Sequence, residues 1–237
     1  MEKSLYKFLF RICLISIFIL LIKIVSPYTF DRWFPINEIV ISGDYKYLER
    51  EQILLVTNNY LEGNFFTLNI QLLRDGMRKL PWIKDVDIYR KWPNRITMLV
   101  KQHQPIARYG MQGLVNEDGE YFGAAYEDYL PIIYGPKDKI AFITDKFVRF
   151  NNILAEEYIK IHKITFTRKE DWTIQTSDGM IIKLNEERSE ENLKRFTSNF
   201  QKILKSTNKR ISNVDLRYRD GFAVETDSKS NQIKNKL

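Results

Sequence analysis

The chain has 237 residues and a formal net charge of +7, with 44% hydrophobic, 28% charged and 14% aromatic residues. That balance excludes an intrinsically disordered chain and supplies enough apolar mass for one large folded domain or two small ones. Lysines and arginines are interspersed with acids and form no run with interleaved aromatics, so the charge predicts a mixed solvated surface and no nucleic-acid footprint.

The chain opens on its one long apolar run, FLFRICLISIFILLIKIV over residues 8–25. Eighteen helical residues rise about 27 Å, close to the thickness of a bilayer's hydrocarbon layer. Arg11 and Lys23 can extend their stems to the two interfaces and lengthen the effective span. The sequence Lys23-Ile24-Val25-Ser26-Pro27 has no Ala-x-Ala-like cleavage site, which predicts a retained transmembrane helix over 8–25 in preference to a removed leader. Lys3, Lys7 and Arg11 favour an inside N-terminus, making residues 1–7 a cytoplasmic stub. The body then faces outward, which in a Gram-negative bacterium is the periplasm. Cys13 lies within the apolar run and is the only cysteine, so no intramolecular disulfide is available.

Residues 26–35 (SPYTFDRWFP) form a linker bracketed by two prolines, with aromatics suited to an interfacial zone. Ile36 to Ser42 reads as a strand stopped by Gly43-Asp44, and Leu48 to Thr57 as a helix. Asn69 caps a second helix, whose Ile70, Leu73, Met77 and Leu80 fall on one face before Pro81 ends it. Val86 and Ile88, then Ile96, Met98 and Val100, alternate with polar residues as two half-buried strands around a Trp92-Pro93-Asn94 turn. The order strand, helix, helix, strand, strand predicts a three-stranded sheet over residues 36–102 with both helices on one face.

Over residues 103–226 strands dominate. Leu114-Val115-Asn116 and Tyr121-Phe122 flank a Glu117-Asp118-Gly119-Glu120 turn, and Leu130 to Tyr134 is a short apolar run. Phe142 to Tyr158 reads as a helix. Ile161 to Arg168, Trp172 to Thr176 and Met180 to Leu184 read as consecutive strands. Ser189 is expected to cap a further helix with Leu193, Phe196, Phe200 and Ile203 on one face. Ile211 to Tyr218 and Phe222 to Thr226 predict a final hairpin around Arg219-Asp220-Gly221, followed by a polar tail over 227–237. The fold class is therefore α+β.

No catalytic constellation emerges. His103 and His162 are the only histidines, and neither has a second His or a Cys at ligand spacing. There is no GxSxG elbow, GxGxxG or P-loop, and the adjacent pairs Glu117/Asp118 and Glu186/Glu187 point apart on turns. The expectation is a protein that is not an enzyme, with no cofactor, metal or small-molecule substrate.

Several segments together are more specific. These are Ile39-Val40-Ile41-Ser42-Gly43, Gly63-Asn64-Phe65-Phe66, Leu80-Pro81-Trp82-Ile83-Lys84, Arg90 to Ile96 (RKWPNRI), Gln104 to Arg108 (QPIAR) and Leu114 to Glu120 (LVNEDGE). Val214 to Tyr218 (VDLRY) with Gly221 to Val224 (GFAV) complete the series. In this order they resemble the FtsQ/DivIB family of bacterial cell-division proteins. The chain departs from the pattern at Lys137-Asp138-Lys139, where a Glu/Gly helix start is expected.

The resemblance implies a POTRA domain (βααββ) over 36–102 and a mixed or antiparallel β-domain with packed helices over 103–226. It implies a non-enzymatic scaffold at the division septum of the inner membrane, linking early and late septal proteins. The expected partners are FtsB and FtsL at the C-terminal sheet edge, with upstream components such as FtsK at the POTRA domain. The partner-binding residues expected there are Arg217, Tyr218, Arg219, Asp220, Gly221, Phe222, Ala223 and Val224. Tyr218 and Phe222 would serve as aromatic anchors, and Arg217 and Arg219 would meet acids. The alternative is a POTRA-containing envelope-assembly or secretion factor.

Overall fold

The computed structural model describes residues 10–21, 34–44, 46–207, 209–219 and 221–227. Helix α1 covers residues 10–21, about 18 Å of rise. Among the described residues no helix is long and apolar enough to cross a membrane. The expected stub (1–7), both ends of the expected span, linker positions 26–33 and the tail from 228 lie outside the described residues. The chain divides into two compact units between His103 and Gln104.

The first unit runs β1 (Glu38–Asp44), α2 (Arg50–Asn58), α3 (Ile70–Met77), β2 (Ile83–Lys91) and β3 (Arg95–Gln102). Its sheet order is β1-β3-β2, with β1 parallel to β3 and β2 antiparallel to it. The alternating residues Val86, Ile88, Ile96, Met98 and Val100 turn one face inward and pack with Ile53, Leu73 and Met77. Each such side chain taken from water stabilises the unit by about 1.5–3 kcal/mol.

Strand β1 and helix α2 each begin two residues later than expected, and two further boundaries differ for reasons visible in the geometry. Strand β1 does not stop at Gly43 but continues through it to Asp44, paired with Lys101. Gly43 has φ +120°, and a Cβ there would lie 2.1 Å from the Val100 carbonyl oxygen, so glycine permits close backbone approach instead of ending the strand. Helix α3 starts as expected, with the Asn69 side chain accepting from the Leu72 N–H at 3.0 Å, but it ends at Met77. Pro81 disfavours helical conformation at Leu80, and the chain leaves through tight turns from Lys79 to Gly76 and Leu80 to Met77. Leu80 still packs at the margin of the core.

In the second unit, β4 (Pro105–Tyr109), β5 (Gly113–Asn116), β6 (Tyr121–Phe122) and β7 (Ile132–Tyr134) precede a short 3-10 turn (Lys137–Lys139) and α4 (Ile140–Ala155). Strands β8 (Ile161–Phe166), β9 (Asp171–Thr176) and β10 (Ile181–Asn185) form an antiparallel meander. Helix α5 (Ser189–Thr207) then crosses to β11 (Ile211–Asp215), parallel to β10, and β12 (Ala223–Thr226) returns antiparallel to β11. The sheet order is β12-β11-β10-β9-β8-β7-β4-β5-β6. Phe147, Phe150 and Leu154 of α4 and Leu193 and Phe196 of α5 share one core with Ile164, Trp172, Ile174, Ile182 and Val214 of the sheet.

Ser189, expected to precede α5 as its cap, is instead the first residue within the helix and is buried. Its hydroxyl accepts from Lys146 Nζ on α4 at 3.4 Å. Lys146 also meets Glu186 at 2.9 Å and Glu190 at 3.1 Å. The start of α5 is thus tied to α4 by a shared cation.

Candidate partner-binding edge

Strand β12 is the last strand on its side of the nine-stranded sheet; among the described residues it pairs only with β11. The register pairs Asp215 with Ala223, Val214 with Val224 and Asn213 with Glu225. Ser212 bulges out of β11, and its hydroxyl donates to the Glu225 carbonyl at 3.2 Å. The Asp227 N–H reaches back to the Arg210 carbonyl at 2.9 Å. Because backbone groups alternate along a strand, Ala223 and Glu225 also direct N–H and C=O toward β11. Val224 and Thr226 direct theirs to the open side. The four residues AVET carry no Lys or Pro of the kind that usually blunts an edge.

The connection from β11 to β12 is longer than the expected hairpin. Strand β11 ends at Asp215 and β12 begins at Ala223, so Leu216 to Phe222 form a loop. The Asp215 carboxylate ends the strand by accepting from the Arg217 N–H at 3.1 Å, an Asx-type turn. The same carboxylate takes the Arg217 guanidinium in a fork, Nε at 2.9 Å and Nη2 at 2.6 Å. The side-chain bond to Arg217 holds the Asp215 carboxyl below its usual range, against the opposing effect of burial.

Helix α5 supports this loop from beneath. Asn192, buried, donates from Nδ2 to the Leu216 carbonyl at 2.7 Å. Arg195 donates to the carbonyls of Arg219 (3.0 Å), Tyr218 (3.3 Å) and Gly221 (3.3 Å), and to Asn192 Oδ1 (3.0 Å).

The eight expected residues therefore divide. Tyr218 is 58% exposed, and Arg219 and Ala223 are also exposed. Phe222 turns inward, its ring 6.0 Å from Phe196, and Val224 packs at the core margin. Arg217 is closed on Asp215. Gly221 lies in open space, where an added Cβ would meet nothing within 4 Å. Asp220 lies outside the described residues. The outward chemistry of the edge consists of Tyr218, Arg219 and the open backbone groups of Val224 and Thr226. Asn192 and Arg195 were not singled out from sequence. Their one signal is that Ser189 and Asn192 share the helical stripe of Leu193 and Phe196, so polar residues fall where apolar ones are expected.

The two histidines fall in different units. His103 ends the first unit, and His162 Nδ1 lies 2.8 Å from the Tyr129 hydroxyl on β8's side of the second. Among the described residues no group of three His, Cys, Asp or Glu could hold a metal ion.

Two family models match the chain: "POTRA domain, FtsQ-type" over residues 34–103 and "Cell division protein FtsQ/DivIB, C-terminal" over residues 107–217. The chain is 30% identical over 195 residues to cell division protein FtsQ of Nitrosospira multiformis, covering 80% of this chain and 83% of that one. It belongs to the FtsQ/DivIB family of cell division proteins. The FtsQ of Neisseria gonorrhoeae is 27% identical over 191 residues, covering 80% of this chain and 79% of its own. That of Coxiella burnetii is 24% identical over 226 residues, covering 94% of this chain and 93% of its own. Membership gives the chain a role in cell division and an α+β body with an FtsQ-type POTRA unit. The C-terminal family model ends at Arg217, so Tyr218 and β12 follow the matched segment.

Proposed function

We propose that this FtsQ-family chain is a non-enzymatic scaffold of the division machinery that holds its partners by lending them a sheet edge. Residues 8–25 anchor it in the inner membrane as a single pass, with the body in the periplasm at the septum. A segment of FtsB, in complex with FtsL, adds as a further strand along β12. Backbone bonds to Val224 and Thr226 provide affinity, and Tyr218 and Arg219 provide side-chain choice. FtsK and other early components meet the POTRA unit. The observation that carries this reading is the open edge of β12, which has its own chain on one side only among the described residues.

Proline scanning of β12 tests it. Thr226→Pro removes an N–H directed away from β11, so it is tolerated by the fold at an edge but lost to an added strand. The full-length variant in detergent should keep its melting temperature and bind FtsB–FtsL at least about tenfold more weakly, corresponding to about 1.4 kcal/mol. Unchanged affinity with unchanged stability would remove strand addition at β12 from the account.

A further inference from the structure

The end of the POTRA unit at which the chain enters is unusually aromatic. Phe34 accepts from the Phe65 N–H through its carbonyl at 2.8 Å, and its ring lies 4.9 Å from that of Phe66, edge to face. Phe65 is buried while Phe66 is 52% exposed. The exposure of Phe66 is not slackness in the chain. The buried Asn64 side chain accepts from the N–H groups of Phe66 at 2.8 Å and Thr67 at 3.0 Å, closing a tight turn. From β2, Arg90 donates to the carbonyls of Phe65 at 2.6 Å and Leu68 at 2.5 Å.

The β2–β3 turn lies at the same end. The Asn37 N–H donates to the Asn94 carbonyl at 3.0 Å, which places Trp92-Pro93-Asn94 beside the entering strand. Trp92 is 74% exposed and Tyr89 56% exposed, and Lys91 between them is exposed as well. One pole of the unit thus presents Phe34, Phe66, Tyr89 and Trp92 with a lysine among them. Large aromatics held outward on rigid turns mark a surface with a partner. Trp and Tyr mixed with Lys is the composition of the boundary between hydrocarbon and headgroups.

The chain itself says which partner lies within reach. Residues 22–33 separate helix α1 from Phe34, and an extended chain of that length spans at most roughly 43 Å. We infer that this pole is a lipid-contact surface, with Phe66 and Trp92 seated in the headgroup layer and Lys91 meeting anionic lipid phosphates. The inference rests on the reading of residues 8–25 as a membrane anchor. Its consequence is that the POTRA unit is held against the bilayer by its own side chains and not by the tether alone.

Collision accessibility of nitroxide labels tests this on the full chain in nanodiscs of phosphatidylethanolamine and phosphatidylglycerol. The native Cys13 is labelled in one sample. In a C13S background, single labels replace Phe66, Trp92 and Lys101; Lys101 stands at the opposite end of β3 from the Trp92 turn. The expected result is a several-fold higher ratio of oxygen to nickel-chelate collisions at 66 and 92 than at 101, reduced in lipid lacking anionic headgroups. Because a nitroxide replaces the anchor ring at its own site, a second sample carries the 92 label with Phe66→Ser, where the ratio should fall toward that at 101. Labels at 66 and 92 as open to the nickel chelate as 101, with Cys13 shielded from it, would overturn the lipid contact and leave the anchor standing. The same holds if they become shielded only on adding a partner protein. A Cys13 label open to the nickel chelate would overturn both.

Discussion

Arg195 shows how much of the candidate site is carried by a residue that faces no partner. From α5 it reaches three loop carbonyls, at Tyr218, Arg219 and Gly221. Hydrogen bonds to a charged donor contribute about 1.5–3 kcal/mol together with their neighbours. Arg195→Met should therefore lower the unfolding free energy of the protein by about that amount in urea. The denaturant slope should stay unchanged, because the loop loosens while the sheet remains. Asp215 makes the opposite kind of contribution, local and dependent on pH. Its carboxyl lies below the ordinary range because of Arg217, so the Asp215–Arg217 clasp is fully present above the usual aspartate value of about 4. It is lost as pH falls through the lowered native value. The pair is partly exposed, so the effect is below about 1 kcal/mol. Loop proteolysis should be faster at pH 3 than at pH 6 with Asp215 in place, and Asp215→Asn should erase that difference. Neither Arg195 nor the Asp215 clasp was legible in sequence as a support. Arg195 spans 24 residues to the Arg219 carbonyl, and a side chain bonding to distant carbonyls leaves no periodic trace.

At the scale of elements, the POTRA unit was the more readable half because α3, β2 and β3 each carry a clean apolar period. Leu73 and Met77 on α3, and Ile96, Met98 and Val100 on β3, stand buried as their spacing requires. What failed was punctuation. Gly43 looked like a stop and is instead a point where only a glycine fits between β1 and the β3 backbone. A methyl group there would collide with the Val100 carbonyl at a φ that side chains rarely adopt. Gly43→Ala should cost more than about 2 kcal/mol, seen as a lower midpoint of the first unit's unfolding, followed by the NMR amide resonances of β3. The last two strands failed for a different reason. Asp215 and Phe222 both satisfy a strand pattern, yet one turns the chain with its carboxylate and the other turns into the core against Phe196. Alternation cannot distinguish a side chain pointing inward from a strand from one pointing inward from a loop.

For the whole molecule, family membership gives a role in cell division and the topology adds an open sheet edge. The matched models cover both units, and the sheet of the second ends in a short strand with neither lysine nor proline to protect it. Without lysine or proline, its outward backbone groups are left available to an added strand. The order of elements was readable from sequence, and the edge position of the last strand was expected through the family resemblance, though periodicity alone does not give it. It depends on α5 carrying the chain across to lay β11 parallel to β10, so that β12 falls outside. Strand addition at β12 can be followed by amide hydrogen exchange, read by NMR on the full chain with and without saturating FtsB–FtsL. The Val224 and Thr226 amides should exchange freely in the isolated protein and become protected in the complex, while Ala223 and Glu225 are slow in both. Val224 and Thr226 amides still exchanging freely in the saturated complex would contradict strand addition.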